Sequence, residues 1–366
     1  MSESSIDPDR LIGYLASRGW RREGAWRGAS VWEADDGRLL IPTLRQYPDD
    51  DELLQEAVAR LATIEDRPEG EVLLDIAEPM VDTIDIRTLP GTPSGTIPLL
   101  SGAKAVDGIC ELLDTSARTV EEGSHLIFSG RRSAAVQEFL GGVRLGASRP
   151  GSYVFTARVP LVLPPQLSLF EEEAPVPFGR QVLKTMDTAL RAAHTACTRV
   201  ISGTAAFDVF DEYVDQGVSA DLCEAVSALA GYGIDRPFEV SLSWARGLTA
   251  PPSDPLRFTA TMATVLSQAG KQLQELSRIG QATINGVIED LHDDGVEPPR
   301  IKVRGELQTS TDVVARAIWV VLSRADYQRA GDAHYRRLRL RVAGRLSTAG
   351  KRLEMRPDSS GLEILS

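Results

Sequence analysis

Apolar positions first settle into a helical period at Leu53, Leu54, Ala57, Val58, Leu61 and Ile64, directly behind the acidic run Pro48 to Glu52. Carboxylates in a first turn suit the positive end of a helix, so the two signals together predict a helix start there. Upstream, Asp7-Pro8 opens a short helix carrying Leu11, Ile12 and Leu15 and ending near Gly19. Residues 25–34 and 38–42 read as two strands around the Asp35-Asp36-Gly37 turn, where an Asp-Gly pair favours a hairpin. Residues 1–78 are therefore expected to form a small α-β-β-α module.

The pattern then alternates between periods. Within residues 79–163, Thr83 to Leu89 reads as a strand and Ala103 to Leu113 as a helix with Val106, Ile109, Cys110 and Leu113 on one face. Ser133 to Leu140 is a second helix, and Gly151 to Val159 alternates as a half-buried strand. Residues 164–179 set Pro164, Pro165, Pro175 and Pro177 around Glu171-Glu172-Glu173, a composition that suits a linker or exposed loop. Residues 180–299 open with a long helix (Val182, Met186, Ala189, Leu190, Ala193, Cys197) and continue with residues 208–229, helical in two pieces broken at Gly217. Strands at 238–244 and 256–262 and a helix at 264–279 complete that region. The class is α+β, in several domains.

From Ile301 the elements shorten to strands at 301–307, 317–322, 338–346, 352–355 and 362–365, with a helical insertion at 325–334. That set, over residues 300–366, suits a small closed or partly open β-barrel of OB-like size. In the third strand Leu338, Leu340 and Val342 point one way and Arg337, Arg339 and Arg341 the other, with Arg345 close by. A guanidinium row with Trp319 and Tyr335 in neighbouring elements is a candidate surface for a phosphate backbone and stacked bases. The same row also fits a solvated strand that resists edge pairing, or one that pairs with the rest of the chain.

Charge bears on that choice. Residues 300–366 carry 14 Lys and Arg against 7 Asp and Glu, while the rest of the chain carries 26 against 45 and the whole stands at −12. A basic region on an acidic body points to an anionic partner. At 42% hydrophobic and 25% charged the chain is a folded protein, and two or three domains fit its 366 residues. No apolar run reaches the length of a membrane span, and Met-Ser-Glu-Ser-Ser is not the start of a secretory signal. Three separated cysteines, Cys110, Cys197 and Cys223, read as buried free thiols of a cytoplasmic protein.

Motifs for chemistry are few. Ser129-Gly130-Arg131-Arg132-Ser133 leads into a helix, so backbone N–H groups and guanidiniums there, joined by Arg144, form a candidate site for a small phosphorylated or carboxylated ligand. Helix capping by Ser129 or Ser133, with solvated arginines, accounts for the same residues. Asp75, Asp82 and Asp85 suggest a metal-dependent nuclease, but no Glu-x-Lys follows in the expected place. His125, His194, His292 and His334 are scattered, without a ligand spacing for zinc. Neither a G-x-S-x-G elbow nor a P-loop nor a G-x-G-x-x-G is present. No catalytic residue, metal or cofactor is assigned.

Two resemblances add to this. The α-β-β-α order of the first module resembles small RNA-handling modules such as double-stranded-RNA-binding domains and HicA-type toxins. No histidine lies in the first 124 residues to supply the toxins' chemistry, which leaves packing or docking. Phe139-Leu140-Gly141-Gly142-Val143-Arg144-Leu145-Gly146 with Gly151-Ser152-Tyr153-Val154, and Gly217 to Ala225, resemble a family of bacterial proteins of no assigned activity. So does the stretch from Asp326-Tyr327 to Ala333-His334 ahead of a basic strand, and the resemblance covers about residues 80–350. The resemblance implies a place in a multi-gene system of the antiviral-defence kind, with protein partners from the same operon. The expectation is a non-catalytic cytoplasmic subunit that binds nucleic acid through its basic terminal module. The alternatives are a protein-interaction scaffold, or a sensor or enzyme for an anion at residues 129–133.

Overall fold

The computed structural model of the chain describes residues 6–35, 37–44, 46–89, 91–146, 153–162, 176–245, 251, 254–278, 280–309, 313–348 and 351–365. Most of the proline-rich stretch 164–179, with Glu171 to Glu173, lies outside the described residues.

In the N-terminal module α1 (Pro8–Ser17) is capped by Asp7, whose carboxylate accepts the Asp9 N–H. An antiparallel sheet of β1 (Arg21–Trp26), β2 (Ala29–Ala34) and β3 (Gly37–Pro42) follows, then α2 (Asp50–Ile64) and α3 (Glu69–Ala77). The pattern predicts one strand over 25–34, but the chain turns back at Arg27-Gly28. Both residues hold positive φ, 47° and 82°, and make a two-residue hairpin loop, so the module has three strands rather than two. Leu11, Leu15, Trp32, Ile41, Leu54, Leu61 and Val72 give it an apolar core of its own.

The central body contains β4 (Val81–Thr88), α4 (Leu99–Glu122), α5 (Ala134–Gly142), β5 (Arg144–Leu145), β6 (Tyr153–Pro160) and α6 (Phe178–Ile201). After these come a 3-10 segment (Phe207–Gln216), α7 (Ala220–Ala228), β7 (Phe238–Ser243), β8 (Leu256–Phe258) and α8 (Ala260–Arg278). The five strands form one sheet in the order β5-β6-β4-β7-β8. Period two puts Ile84, Ile86, Phe155, Ala157, Val240 and Leu242 on one face, in one core with Leu112, Met186 and Val226 of α4, α6 and α7. Gly217 takes φ 92° to end the 3-10 segment, and the Ser219 hydroxyl then caps α7 by accepting the Leu222 N–H. Cys197 and Cys223 are buried, and burial pushes the Cys197 thiol up to about 12. Cys110 is exposed instead, because it stands one position off the buried stripe of Ala105, Ile109 and Leu112 on α4.

One ion pair sits at the centre of this body. Asp82, at the start of the middle strand, and Arg180, in the first turn of α6, are both wholly buried. The guanidinium donates Nε to Oδ2 at 2.6 Å and Nη2 to Oδ1 at 2.8 Å. Ala245, just past β7, donates its N–H to Asp82 at 2.6 Å and accepts from Arg180 at 2.9 Å, and the Trp244 ring covers the guanidinium at 5.1 Å.

The C-terminal module is a closed barrel of β9 (Gln281–His292), β10 (Arg300–Gln308), β11 (Val313–Val321), β12 (Arg339–Ser347) and β13 (Glu354–Leu365), with α9 (Arg324–Tyr335) between β11 and β12. The barrel starts earlier than the pattern indicates, at Gln281 rather than after residue 300. The two strands predicted over 352–355 and 362–365 are one, with the expected turn at 357–361 bulging from it. β11 and β13 pair in parallel and the other neighbours antiparallel. Gly286 and Gly305 face each other where β9 crosses β10. A Cβ on Gly305 would stand 2.0 Å from the Asn285 carbonyl oxygen, so only glycine lets the strands meet so closely. Ile284, Ile301, Val303, Ile318, Val320, Leu340, Val342 and Met355 fill the interior, in one core with Leu126, Val214, Leu273 and Leu276 of the body.

Arg180→Leu is expected to strand an uncompensated carboxylate in the core and to lower stability by about 3–5 kcal/mol in urea unfolding. The double change Asp82→Leu with Arg180→Met removes both charges and should recover most of that loss. A double variant no more stable than the single one would contradict a coupled pair.

Candidate nucleic-acid interface

β12 carries the arginine row because its period is two and its other face fills the barrel. Leu340, Val342 and Leu346 are buried, while Arg339, Arg341 and Arg345 alternate with them and are exposed. On β13, Arg356 stands directly beside Arg345 and is also exposed. None of these four side chains has a hydrogen-bonded or ion-paired partner among the described residues. Arg356 escapes a reading of β12 alone, since its place beside Arg345 depends on strand pairing. Its signal was the alternation of buried Leu353 and Met355 with Arg352 and Arg356.

The other sequence-predicted members of the face are placed differently. Arg337 precedes β12 in a turn, at φ 54°, so it leads into the row without belonging to it. Tyr335 ends α9 at the Arg339 end of the row and is 90% exposed, with its ring open to solvent. Trp319 is half-buried on β11, with the Arg300 and Arg352 guanidiniums each 5.6 Å from its ring and His292 edge-on. β13 separates Trp319 from β12, so it does not flank Arg339 or Arg341.

The β10–β11 side of the barrel is basic too, but the body covers it. Asp208 of the 3-10 segment receives Arg304 at 2.9 Å and the Ala317 N–H at 3.1 Å. Asp211 receives Arg316 at 2.7 Å, and Asp215 meets Lys351 at 2.8 Å. OB-type barrels bind oligonucleotides on their second and third strands, and here those strands' arginines are neutralised from within the chain. On β12 and β13 the arginines Arg339, Arg341, Arg345 and Arg356 have no such pairing among the described residues.

Of residues 129–133, Gly130, Arg131 and Arg132 line a cavity of about 640 Å³. Ser133, not Ser129, caps α5 by accepting the Val136 N–H. Arg132 pairs with Asp114 at 2.9 Å and Glu111 at 3.3 Å, and Arg118 donates to the Ser129 carbonyl at 2.7 Å. Arg131 is exposed at the rim. Arg144 is elsewhere, on β5, paired with Glu78 at 2.9 Å. An anion entering the cavity would face Glu111, Asp114 and Asp221 as well as the arginines.

A larger cleft, about 1050 Å³, separates the N-terminal module from the polar face of the central sheet. Arg158 of β6 crosses it to Asp75 at 2.8 Å and Glu78 at 3.5 Å; within the module Asp75 also receives Arg67 at 2.6 Å, and the Tyr14 hydroxyl donates to Glu65 at 2.7 Å. Burial, reinforced by the Glu65 hydrogen bond, pushes Tyr14 up to about 12. Burial opposes the charge on Asp75, but hydrogen bonds from Arg158 and Arg67 outweigh it and hold the carboxyl below its usual range. The three aspartates considered for metal chemistry are thus engaged separately, Asp82 by Arg180, Asp75 by Arg67 and Arg158, and Asp85 by the Thr156 hydroxyl at 2.6 Å. Among the described residues no group of three or more His, Cys, Asp or Glu is placed to hold a metal ion, and no helix is long and apolar enough to cross a membrane. No protein-family model, curated protein or solved structure matches the chain.

The depressed Asp75 carboxyl sets a pH dependence. Its stabilising effect is fully present above the ordinary carboxylate pKa of about 4 and is lost as pH falls through the lower folded-state value. Asp75→Asn is expected to cost roughly 1–3 kcal/mol near neutral pH and much less at about pH 2. Urea unfolding at both pH values checks this; an equal cost at both would show that the charge on Asp75 is not what joins the two parts.

Proposed function

We propose that the chain is a non-catalytic subunit that binds nucleic acid through the arginine strip on β12 and β13, alongside partner proteins that carry the chemistry. One observation carries this reading: four exposed arginines on adjacent strands have no hydrogen-bonded or ion-paired carboxylate among the described residues, in a chain whose net charge is −12. At the junctions and in the core, arginines meet carboxylates at 2.6–2.9 Å, as Arg67, Arg180, Arg304 and Arg316 do. Guanidiniums left unpaired in such a protein suit phosphate contacts, whose free energy comes largely from counterion release.

A second reading, a protein-interaction scaffold, is favoured by a different patch. Leu99 and Leu100 at the start of α4 and Tyr232 beyond α7 are 85%, 61% and 70% exposed. Pro98 and Tyr232 border a cavity of about 270 Å³ there, which suits an apolar side chain of a partner. The two readings are compatible, since the strip and the patch belong to different elements. An anion sensor at residues 129–133 has weaker support, because three carboxylates share that cavity.

Fluorescence anisotropy with short labelled DNA and RNA at low salt tests the first reading. With three or four phosphate contacts, log K should fall against log salt with a slope between about −2 and −4. Arg339→Glu with Arg341→Glu should weaken binding by roughly tenfold or more while leaving the melting temperature unchanged. No binding at micromolar protein, or full binding by the double variant, would falsify the proposal.

A further inference from the structure

Resting on the reading of the strip as a nucleic-acid interface, we infer that its ligand is a single strand rather than a duplex, laid along β12 with its bases over β9. Arg339 and Arg341 are two residues apart, about 6–7 Å at the rise of a strand, and Arg345 follows about 13 Å further on. That is one file of cations at a spacing comparable to successive phosphates of an extended strand. Arg356 widens the file only at the Arg345 end.

The flanks distinguish one backbone from two. On the β9 side, Gln281, Thr283 and Asn285 stand opposite Arg345, Ala343 and Arg341, and Val287 opposite Arg339. These are uncharged groups, three of them able to donate and accept hydrogen bonds, as base edges and sugars require. One strand further on, about 9–10 Å from Arg341, stands exposed Glu306. On the other side of Arg341, Glu363 of β13 is its direct neighbour and is exposed. A duplex places its second backbone about 6–12 Å across a groove, where it would meet one of these carboxylates. A single strand has no second backbone, and its bases can turn onto the neutral β9 groups. Tyr335, exposed at the Arg339 end, offers a ring for an unpaired base.

The test uses the full chain at low salt with three labelled probes: oligothymidylate, oligouridylate, and a DNA hairpin that is duplex throughout its stem. At least one single strand is expected to bind about tenfold or more tightly than the hairpin, and the tighter of the two identifies the sugar. Hairpin binding equal to or tighter than both single strands overturns this inference and leaves the nucleic-acid reading standing. Binding of none of the three overturns both. Asn285→Asp with Gln281→Glu places carboxylates where the bases are expected, and should weaken single-strand binding several-fold at an unchanged melting temperature. Tyr335→Ala should weaken it about fivefold or more. Unchanged binding in both variants would remove β9 and Tyr335 from the path, and the inference with them.

Discussion

The architecture depends on one desolvated pair, Asp82 with Arg180. Two charges taken out of water are tolerated only when every oxygen and most of the donors are met, and here the carboxylate also takes the Ala245 N–H. The pair therefore fixes three things at once: where the middle strand begins, how α6 enters the core, and where β7 ends. A hydrophobic substitute could match its energy but would not specify direction, whereas a bidentate pair has one geometry.

Charge pairing also explains the chain's division of labour. The N-terminal module meets the sheet through Asp75, Arg67 and Arg158, and the barrel meets the body through Asp208, Asp211, Arg304 and Arg316. The first junction is polar and directional, while at the second the ion pairs flank an apolar core that the barrel shares with Leu126, Val214, Leu273 and Leu276 of the body. The acidic excess of the body is thus partly structural, since it holds the basic barrel in place. What remains on the barrel after that docking is the β12–β13 strip, whose four arginines take no hydrogen-bonded or ion-paired partner among the described residues, although Glu363 stands beside Arg341.

The helices were legible because their apolar stripes are long and locally complete, as on α6 and α8. The alternation of arginines with Leu340 and Val342 was equally visible, since period two needs only neighbours in sequence. β9 was not. Asn285-Gly286 interrupts its apolar face with a pair that also marks hairpin turns, and the reason for Gly286 is the crossing of another strand. The same limit hid the place of Arg356, and it wrongly grouped Trp319 with the arginines, because which strands lie side by side in a barrel is a non-local fact. The split of β1 from β2 at Arg27-Gly28 was missed for a local reason. Positive φ at a non-glycine residue leaves no sequence signature as clear as Asn-Gly.

Closure of the barrel has a consequence for how partners can engage. Around most of a closed sheet the N–H and C=O groups are paired between strands, and here only the short β11–β13 seam, Trp319–Glu354 and Val320–Met355, departs from that. Recognition over most of the barrel therefore runs through side chains, which read charge and shape and tolerate many backbones. The N-terminal module is built the opposite way. Its β1 is an edge strand whose six residues, Arg21 to Trp26, are all exposed, and among the described residues no strand pairs with its outer side. The two ends of the molecule therefore present two different grammars of contact, one of side chains and one of backbone.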